Sequence, residues 1–337
     1  MKKIALLALV LILLATLVFA GGGTQAGAGQ KKVVVQIGLE NHPGEPVTDG
    51  IYEWKRLAEE RSKGSMEVQV FPSSQLGTKN EIIDQMLAGM GVITLADGAF
   101  FADRGAPDMG ITMGPYFFAT WNEAWNMIES SWWAEQGKIL ERRGLKMLAS
   151  NWVYGERHTL AKRPIRTVAD FKGLKLRVPA NNIQIRGTEV MGATPTPLPL
   201  GEVYTALQQG VVDGVENPLT VIYGGKFHEV AKYLTLDGHI KLLTTWFCGT
   251  KWFDTLSGEH QAILTETGRL AGLYNNQLQE KSVDETIRKF KAEGVEVINV
   301  NIPSFQAQAK PFYDLPEFKN LWSPGIIEAT NRAKAGR

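Results

Sequence analysis

The sequence predicts an α/β protein made of two successive units, with one long helix lying across both. Short apolar segments of strand length alternate with longer segments of helix-forming residues, and this alternation resumes after about residue 155. Such alternation is typical of a mostly parallel sheet covered by helices. A length of 337 residues is also typical of two domains.

The first unit begins with a strand–helix–strand pattern. Its predicted elements are strands at 33–39, 66–71 and 92–96 and helices at about 49–63 and 81–88. The first of these helices carries its apolar residues on one face, as a helix packed on a sheet does. The last of these strands ends at Asp97, and open α/β sheets bind their ligands at this end of a strand.

The second unit repeats the pattern. A short helix ends near Phe171, and the strand at 174–178 alternates apolar and charged residues. The other predicted elements are helices at 182–191 and 202–209 and a short strand at 211–212 leading into Gly214. Arg177 lies at the carboxyl end of the strand, where a guanidinium is either a solvated charge or a group that receives an anion.

The long helix is predicted from Glu259 to about Glu293, with Ser257 as its N-cap. Roughly 35 residues of helix extend about 50 Å, which is longer than one small domain. Gly268 and Gly272 disfavour an unbroken helix. If the helix is continuous, it must span both units.

The N-terminus carries an export signal. Lys2 and Lys3 precede an apolar run that ends in Val18-Phe19-Ala20, so we expect a signal peptide at 1–20 that is cleaved near Ala20. Gly21 stands where a lipid-anchored protein needs a cysteine. The segment 21–32 is rich in glycine and is predicted to be a flexible leader. These features predict a freely diffusing periplasmic protein.

Composition gives no indication of nucleic-acid binding or catalysis. The formal charge is +1 and no long block of one charge occurs. The five histidines lack the spacing of a zinc helix, and no nucleophile-elbow or P-loop motif is present. The single cysteine, Cys248, lies in an apolar stretch and is predicted to be a buried, inert thiol. We therefore expect no cofactor, although a triad assembled from distant residues remains an alternative.

Four motifs resemble the DctP family, the periplasmic substrate-binding proteins of TRAP transporters. They are FPSSQLG (71–77), GLKLRVP (173–179), GATPTPLPLGEVYTALQQGVVDGVENP (192–218) and FHEVAKYLTLDGH (227–239). The resemblance extends from about residue 33 to past residue 320. Four separated motifs in the right order are far more specific than any one of them.

The resemblance implies a two-domain periplasmic-binding-protein fold with crossing strands and a long domain-spanning helix. Domain I is expected at 33–154 plus 243–282, and domain II at 155–242 plus 283–337. It further implies a monomer without catalytic activity that closes on an organic acid and delivers it to the membrane subunits of a sodium-coupled TRAP transporter. A sensor that presents its ligand to a receptor kinase is an alternative, and a secreted hydrolase is another that substrate turnover would reveal.

The resemblance places two residues at the ligand's carboxylate and a third near the ligand. Arg177 occupies the position of an arginine that forms a bidentate ion pair with it, and a planar guanidinium fits a carboxylate well. Asn217 matches an asparagine that hydrogen-bonds the same group, with a turn residue before Pro218 as the alternative. Arg157 corresponds to a second arginine near the ligand, with a structural ion pair as the alternative.

Further candidates follow from position and motif. Asp97 matches an often acidic position of the family, and Glu40, Asn41 and His42 follow the first strand. The remaining candidates are Trp152 and Trp246, which are expected to cover the apolar face of the ligand, and Leu200, which lies in the motif at 192–218. The acidic and neutral polar side chains among these candidates can hydrogen-bond the hydroxyl groups of a ligand, whereas the acidic ones would repel a second ligand carboxylate.

The sequence therefore predicts a uronate or other sugar acid ahead of a C4-dicarboxylate. Phe100 stands where some sialic-acid-binding members carry an arginine, which weighs against sialic acid. Apart from Arg157 and Arg177, we expect no cation in the cleft to pair a second carboxylate. Arg157 is the counter-argument, because it could serve a second acid group.

Overall fold

The computed structural model describes residues 32–337, so the predicted signal peptide and all but the last residue of the predicted leader lie outside the described residues. Within them the strands form one sheet. Their bounds are β1 Val33–Gly38, β2 Met66–Phe71, β3 Val92–Ala96, β4 Leu145–Ala161, β5 Lys175–Val178, β6 Thr194–Pro197, β7 Gly214–Pro218, β8 Tyr233–Gly249 and β9 Glu296–Asn299.

Helices cover the sheet. Their bounds are α1 Pro46–Arg61, α2 Lys79–Ala88, α3 Gly98–Ala102, α4 Trp121–Glu129, α5 Ser131–Arg142, α6 Asn182–Met191, α7 Val203–Gln209, α8 Leu219–Gly224, α9 Thr250–Phe253, α10 Gly258–Ala292, α11 Ile302–Ala309, α12 Pro316–Leu321 and α13 Ile326–Lys334. Short 3₁₀ turns connect several of them.

The sheet has two parallel halves joined by two long strands. Its order is β2-β1-β3-β8-β4-β7-β5-β6, with β9 pairing with β8. We call β2, β1 and β3 the first half and β7, β5 and β6 the second half; within each, neighbouring strands are parallel. β4 and β8 are 17 residues each and pair antiparallel along their whole length. Because they reach both halves, they confirm the predicted crossing strands.

The long helix α10 confirms the predicted domain-spanning helix. It runs unbroken for 35 residues, and the Ser257 hydroxyl accepts the backbone N–H of His260 at its start. α10 packs against α1 from the first half, against β4, and against α8 from the second half.

Close packing explains the two glycines inside α10. A Cβ atom at Gly268 would lie 2.7 Å from the Trp54 ring, and one at Gly272 would lie 2.8 Å from the Trp152 ring. Both indoles are fully buried, and the Trp152 Nε1–H donates to the Gly268 carbonyl at 2.9 Å. Only glycine lets the two indole rings approach the helix this closely. The packing gained in this way outweighs the low helix propensity of glycine.

Most predicted elements lie within three residues of their predicted bounds. The strands at 66–71 and 92–96 and the helix at 182–191 are confirmed residue for residue. The short strand predicted at 211–212 is wrong: α7 ends at a left-handed Gly210, Val211 is in the turn that follows, and β7 begins at Gly214.

Other structural features of the described residues bear on function. Cys248 is buried, and burial raises the pKa of its thiol. Within residues 32–337 no helix has the length and apolarity required to cross a membrane. Over the same range no three His, Cys, Asp or Glu side chains are grouped as a metal site would require.

Candidate functional site

A cavity that encloses about 610 Å³ of empty space, part of it open to solvent, lies where the two halves of the sheet meet. The first half contributes residues that follow β1 and β3 and residues at the start of α2, and the second half contributes residues of β5 and β7. The crossing strands β4 and β8 supply the rest of the wall. Because these positions are the carboxyl ends of parallel strands, the cavity lies where α/β sheets bind ligands.

Arg177 lines this cavity from β5 and is 2% exposed. Its Nε and Nη2 donate to the Leu198 carbonyl at 2.9 and 2.7 Å, while Nη1 makes no hydrogen bond within residues 32–337. No carboxylate of the described chain lies within 4.0 Å of the guanidinium. Burial lowers the pKa of Arg177 to about 10, against the raising effect of the Glu40 and Glu216 charges. Arg177 is a buried cation with room for an anion.

Asn217 lines the cavity beside Arg177. β5 and β7 pair so that Arg177 is opposite Val215. Asn217, two residues further along, therefore points to the same face of the sheet. Its Oδ1 is buried and has no hydrogen-bond partner within the described residues. A buried polar atom of this kind is expected to find a partner in a ligand or water.

Arg157 reaches the cavity from β4 but is already paired. Its Nε and Nη2 donate to the Glu216 carboxylate at 2.5 and 2.6 Å, and Nη2 also donates to the Glu216 carbonyl at 3.0 Å. Both side chains are almost fully buried. Burial opposes ionisation, but the Arg157 and His239 interactions outweigh it and lower the pKa of Glu216.

The ion pair continues behind the cavity. His239 Nε2 lies 3.1 Å from the Glu216 carboxylate, and its Nδ1 lies 3.2 Å from the Asp237 carboxylate. Burial disfavours the imidazolium, but these two carboxylates outweigh it and raise the pKa of His239 to about 9. Asp237 also accepts the Thr159 hydroxyl at 2.8 Å. This network holds Arg157 in place.

Two carboxylates line the wall contributed by the first half. Asp97 caps α3, and its Oδ1 accepts the N–H groups of Ala99 and Phe100 at 2.9 and 3.4 Å. Burial raises the pKa of Asp97, while the charges of Lys79 and Arg157 oppose this. Glu40 Oε1 accepts the Leu200 N–H at 3.0 Å, a contact between the two halves.

The structure brings six of the ten sequence-predicted residues to the cavity. They are Glu40, Asp97, Arg157, Arg177, Leu200 and Asn217. Whether each one contacts ligand stays a prediction.

Four predicted residues lie elsewhere. Trp152 and Trp246 are fully buried and do not line the cavity. Their rings pack edge to face in the core, with centroids 5.2 Å apart. The Asn41 amide donates to Glu45 and Tyr154, and the His42 ring contacts the Ser73 hydroxyl. Local packing thus uses all four side chains outside the cavity wall.

Sequence reasoning missed Lys79, and the expectation of no further cation in the cleft is wrong. Lys79 is the first residue of α2 and lines the cavity together with Thr78 and Asn80. Tyr154 and Phe100 also line it. The FPSSQLG motif was the available signal, since it turns the chain from β2 back towards the cavity and Lys79 is the second residue after it.

Two α/β halves joined by crossing strands, with a polar cavity between them, are the architecture of bacterial solute-binding proteins. The family model described as bacterial extracellular solute-binding protein, family 7 (DctP) matches residues 37–319. The chain belongs to this family, the solute-binding components of TRAP transporters.

Solved structures and a curated relative support the assignment. The crystal structure of a TRAP periplasmic solute-binding protein from Ochrobacterium anthropi with bound L-fuconate is 39% identical, with a TM-score of 0.86 over 90% of this chain and 99% of that chain. A second, from Actinobacillus succinogenes 130z with bound L-galactonate, is 32% identical, with a TM-score of 0.86 over 90% and 100%. The 2,3-diketo-L-gulonate-binding periplasmic protein YiaO of Escherichia coli K12 is 33% identical over 72% of this chain and 74% of its own length. These similarities confirm the predicted family and fold.

Proposed function

We propose that this protein captures a sugar acid, an aldonate or uronate, by its carboxylate in the cavity between the two halves. One observation carries the proposal: Arg177 is buried on the cavity wall without a carboxylate of the described chain within 4.0 Å. A buried charge is costly unless it is paired. The carboxylate of a bound acid supplies the missing partner.

The neighbours of Arg177 suit a carboxylate. Nη1 of Arg177 makes no hydrogen bond within the described residues and can donate to a carboxylate oxygen, while the free Oδ1 of Asn217 can accept a hydrogen bond from a neighbouring ligand hydroxyl. Charge-assisted hydrogen bonds from a guanidinium are short and strong, especially where water is excluded. Arg157 adds positive potential nearby, although Glu216 balances its charge.

The sugar-acid class is supported by the rest of the wall and by the relatives. Thr78, Asn80, Asp97 and Glu40 offer polar partners for hydroxyl groups. Neighbouring structures contain L-fuconate and L-galactonate. A C4-dicarboxylate is the alternative, and Asp97 and Glu40 would repel its second carboxylate at close range.

We further propose that the protein is exported through the predicted signal peptide and acts in the periplasm. It would then work as a monomer that hands its ligand to the membrane subunits of a sodium-coupled TRAP transporter. The domain limits given above, 33–154 plus 243–282 and 155–242 plus 283–337, remain part of this proposal. Closure of two domains predicts that the radius of gyration falls when ligand is added, which small-angle scattering measures.

A thermal-shift and calorimetry screen of organic acids tests the proposal. A ligand at 100 times its dissociation constant stabilises the folded protein by about 2.7 kcal/mol, so binding acids raise the melting temperature. We expect L-fuconate, L-galactonate or a uronate to bind with micromolar or lower Kd. If succinate or malate binds in the micromolar range while no sugar acid binds at millimolar concentration, the sugar-acid proposal is wrong.

A further inference from the structure

The cavity wall formed by the first half carries one lysine, Lys79, and two carboxylates, Glu40 and Asp97. Lys79 opens α2, where the Thr78 side chain caps the helix and fixes the direction in which the chain leaves the turn. The Lys79 Nζ lies 4.6 Å from the centre of the Phe100 ring, so its ammonium is placed on the wall by a cation–π contact.

Lys79 is not committed to an ion pair. Within residues 32–337 its Nζ has no carboxylate oxygen within 4.0 Å and makes no hydrogen bond. Burial lowers the pKa of Lys79, and the charges of Glu40 and Asp97 oppose this effect. The wall therefore holds one cation and two carboxylates that act on it through space.

Each of the two carboxylates has one oxygen in use and one free. Asp97 Oδ1 and Glu40 Oε1 accept backbone N–H groups. Asp97 Oδ2 and Glu40 Oε2 accept no hydrogen bond from the described chain. The wall thus offers donor protons on Lys79 and acceptor lone pairs on the carboxylates.

A hydroxyl group uses both kinds of partner, because it donates one hydrogen bond and accepts others. A ligand carboxylate uses only the donor and meets two like charges. The same three side chains therefore favour a polyol and disfavour a second acid group, even though one of them is a lysine.

We propose that Lys79, Asp97 and Glu40 form a hydroxyl-binding subsite, which makes the cavity select a monoacid with a polyol chain over the corresponding diacid. Lys79 is the specificity-determining donor of this subsite, and Asp97 and Glu40 balance its charge. The inference rests on the proposed function, because it takes the ligand carboxylate to lie at Arg177.

L-galactonate and galactarate provide the test, since they share a carbon chain and configuration and differ only in a terminal hydroxymethyl or carboxylate group. Calorimetry on the wild-type protein is expected to show L-galactonate binding at least about tenfold more tightly, a difference of about 1.4 kcal/mol. Asp97→Asn is expected to reduce that preference by about tenfold, because one negative charge is removed while asparagine still caps α3. Lys79→Met is expected to weaken L-galactonate about tenfold or more.

Matched controls are Asp254→Asn and Lys310→Met, which change exposed residues away from the cavity. They are expected to leave both affinities unchanged. Galactarate binding as tightly as L-galactonate to the wild-type protein would show an anion subsite and overturn the inference without the use of any variant. Unchanged L-galactonate affinity in Lys79→Met would also overturn it. Binding of succinate but of neither sugar acid would instead overturn the proposed function, and the subsite with it.

Discussion

Arg157 and Arg177 line the same cavity from neighbouring regions of the sheet, but their surroundings differ. Arg157 has a carboxylate partner in Glu216, which is itself held by His239. Arg177 has only the Leu198 carbonyl, and burial lowers its pKa to about 10. Both are buried arginines on strands. Burial is common to both arginines, so the absence of a carboxylate partner within the described residues is what distinguishes Arg177 as the proposed ligand-binding group.

This comparison assigns different roles to the two residues. Removing one partner of a buried ion pair leaves the other charge buried and unpaired. For Arg157 that partner is Glu216, so the cost falls on the folded protein. For Arg177 the proposed partner is the ligand, so the cost is expected to fall on the complex.

Replacement of Arg177 should have the largest effect on binding. Arg177→Met is expected to weaken binding of a sugar acid by about 3 to 5 kcal/mol, because the ligand carboxylate would be buried without the cation proposed to pair with it. Arg177→Lys should also bind poorly, since an ammonium cannot form the two parallel hydrogen bonds of a guanidinium. The free energy of unfolding without ligand should change by no more than about 1 to 2 kcal/mol, because only the Leu198 carbonyl loses hydrogen bonds and no buried carboxylate of the described chain loses its partner. Calorimetry and urea denaturation measure the two quantities, and an affinity within threefold of wild type would contradict the assignment.

Replacement of Arg157 should give the reverse pattern. Arg157→Met is expected to lower the free energy of unfolding by about 3 to 4 kcal/mol, because Glu216 would stay buried with only His239 beside it. The double variant Arg157→Met/Glu216→Met removes both charges and should recover much of the loss. Urea denaturation of the two variants checks this. Equal stability of the wild type and the single variant would argue against the ion pair as a structural element.

His239 should make a smaller, pH-dependent contribution. Its pKa is raised from 6.5 to about 9, so the folded protein binds the proton more tightly than the unfolded chain does. The stabilisation is therefore fully present below pH 6.5 and is lost as the pH rises through about 9. His239→Gln is expected to cost about 2 kcal/mol at pH 6 and much less at pH 10. Thermal unfolding between pH 6 and 10 measures the difference, with His260→Gln as the control, because His260 contacts Ser65 away from this network. A constant difference across that range would contradict the account.

Much of the fold could be predicted because it depends on local patterns. The strand at 66–71 and the helix at 182–191 follow from periodicity and turn residues, and Ser257 marked the start of α10. The strand predicted at 211–212 was misplaced because Val211 has the composition of a strand residue but lies in the turn after α7. Apolar type alone does not separate those two states.

The site was predictable where a motif or the carboxyl end of a strand fixed the position of a residue. Arg177 and Asn217 come from such motifs, and the parallel register of β5 and β7 brings them to one face. Trp152 and Trp246 were misplaced because a strand pattern shows which residues share a face but not what covers that face. Here α10 and Trp54 cover it, and the cavity lies elsewhere. Lys79 was missed because the direction of its side chain depends on the cap at Thr78 and on Phe100, which is distant in sequence.

The most direct test of the central role of Arg177 changes the ligand and the protein together. Calorimetry would compare L-galactonate with galactitol, in which a hydroxymethyl group replaces the carboxylate, on the wild-type protein and on Arg177→Met. The account predicts that the wild type prefers L-galactonate by at least about 100-fold, or about 2.7 kcal/mol, and that Arg177→Met prefers it by less than about tenfold. Retention of the wild-type preference in Arg177→Met would show that another group receives the carboxylate and would contradict the account.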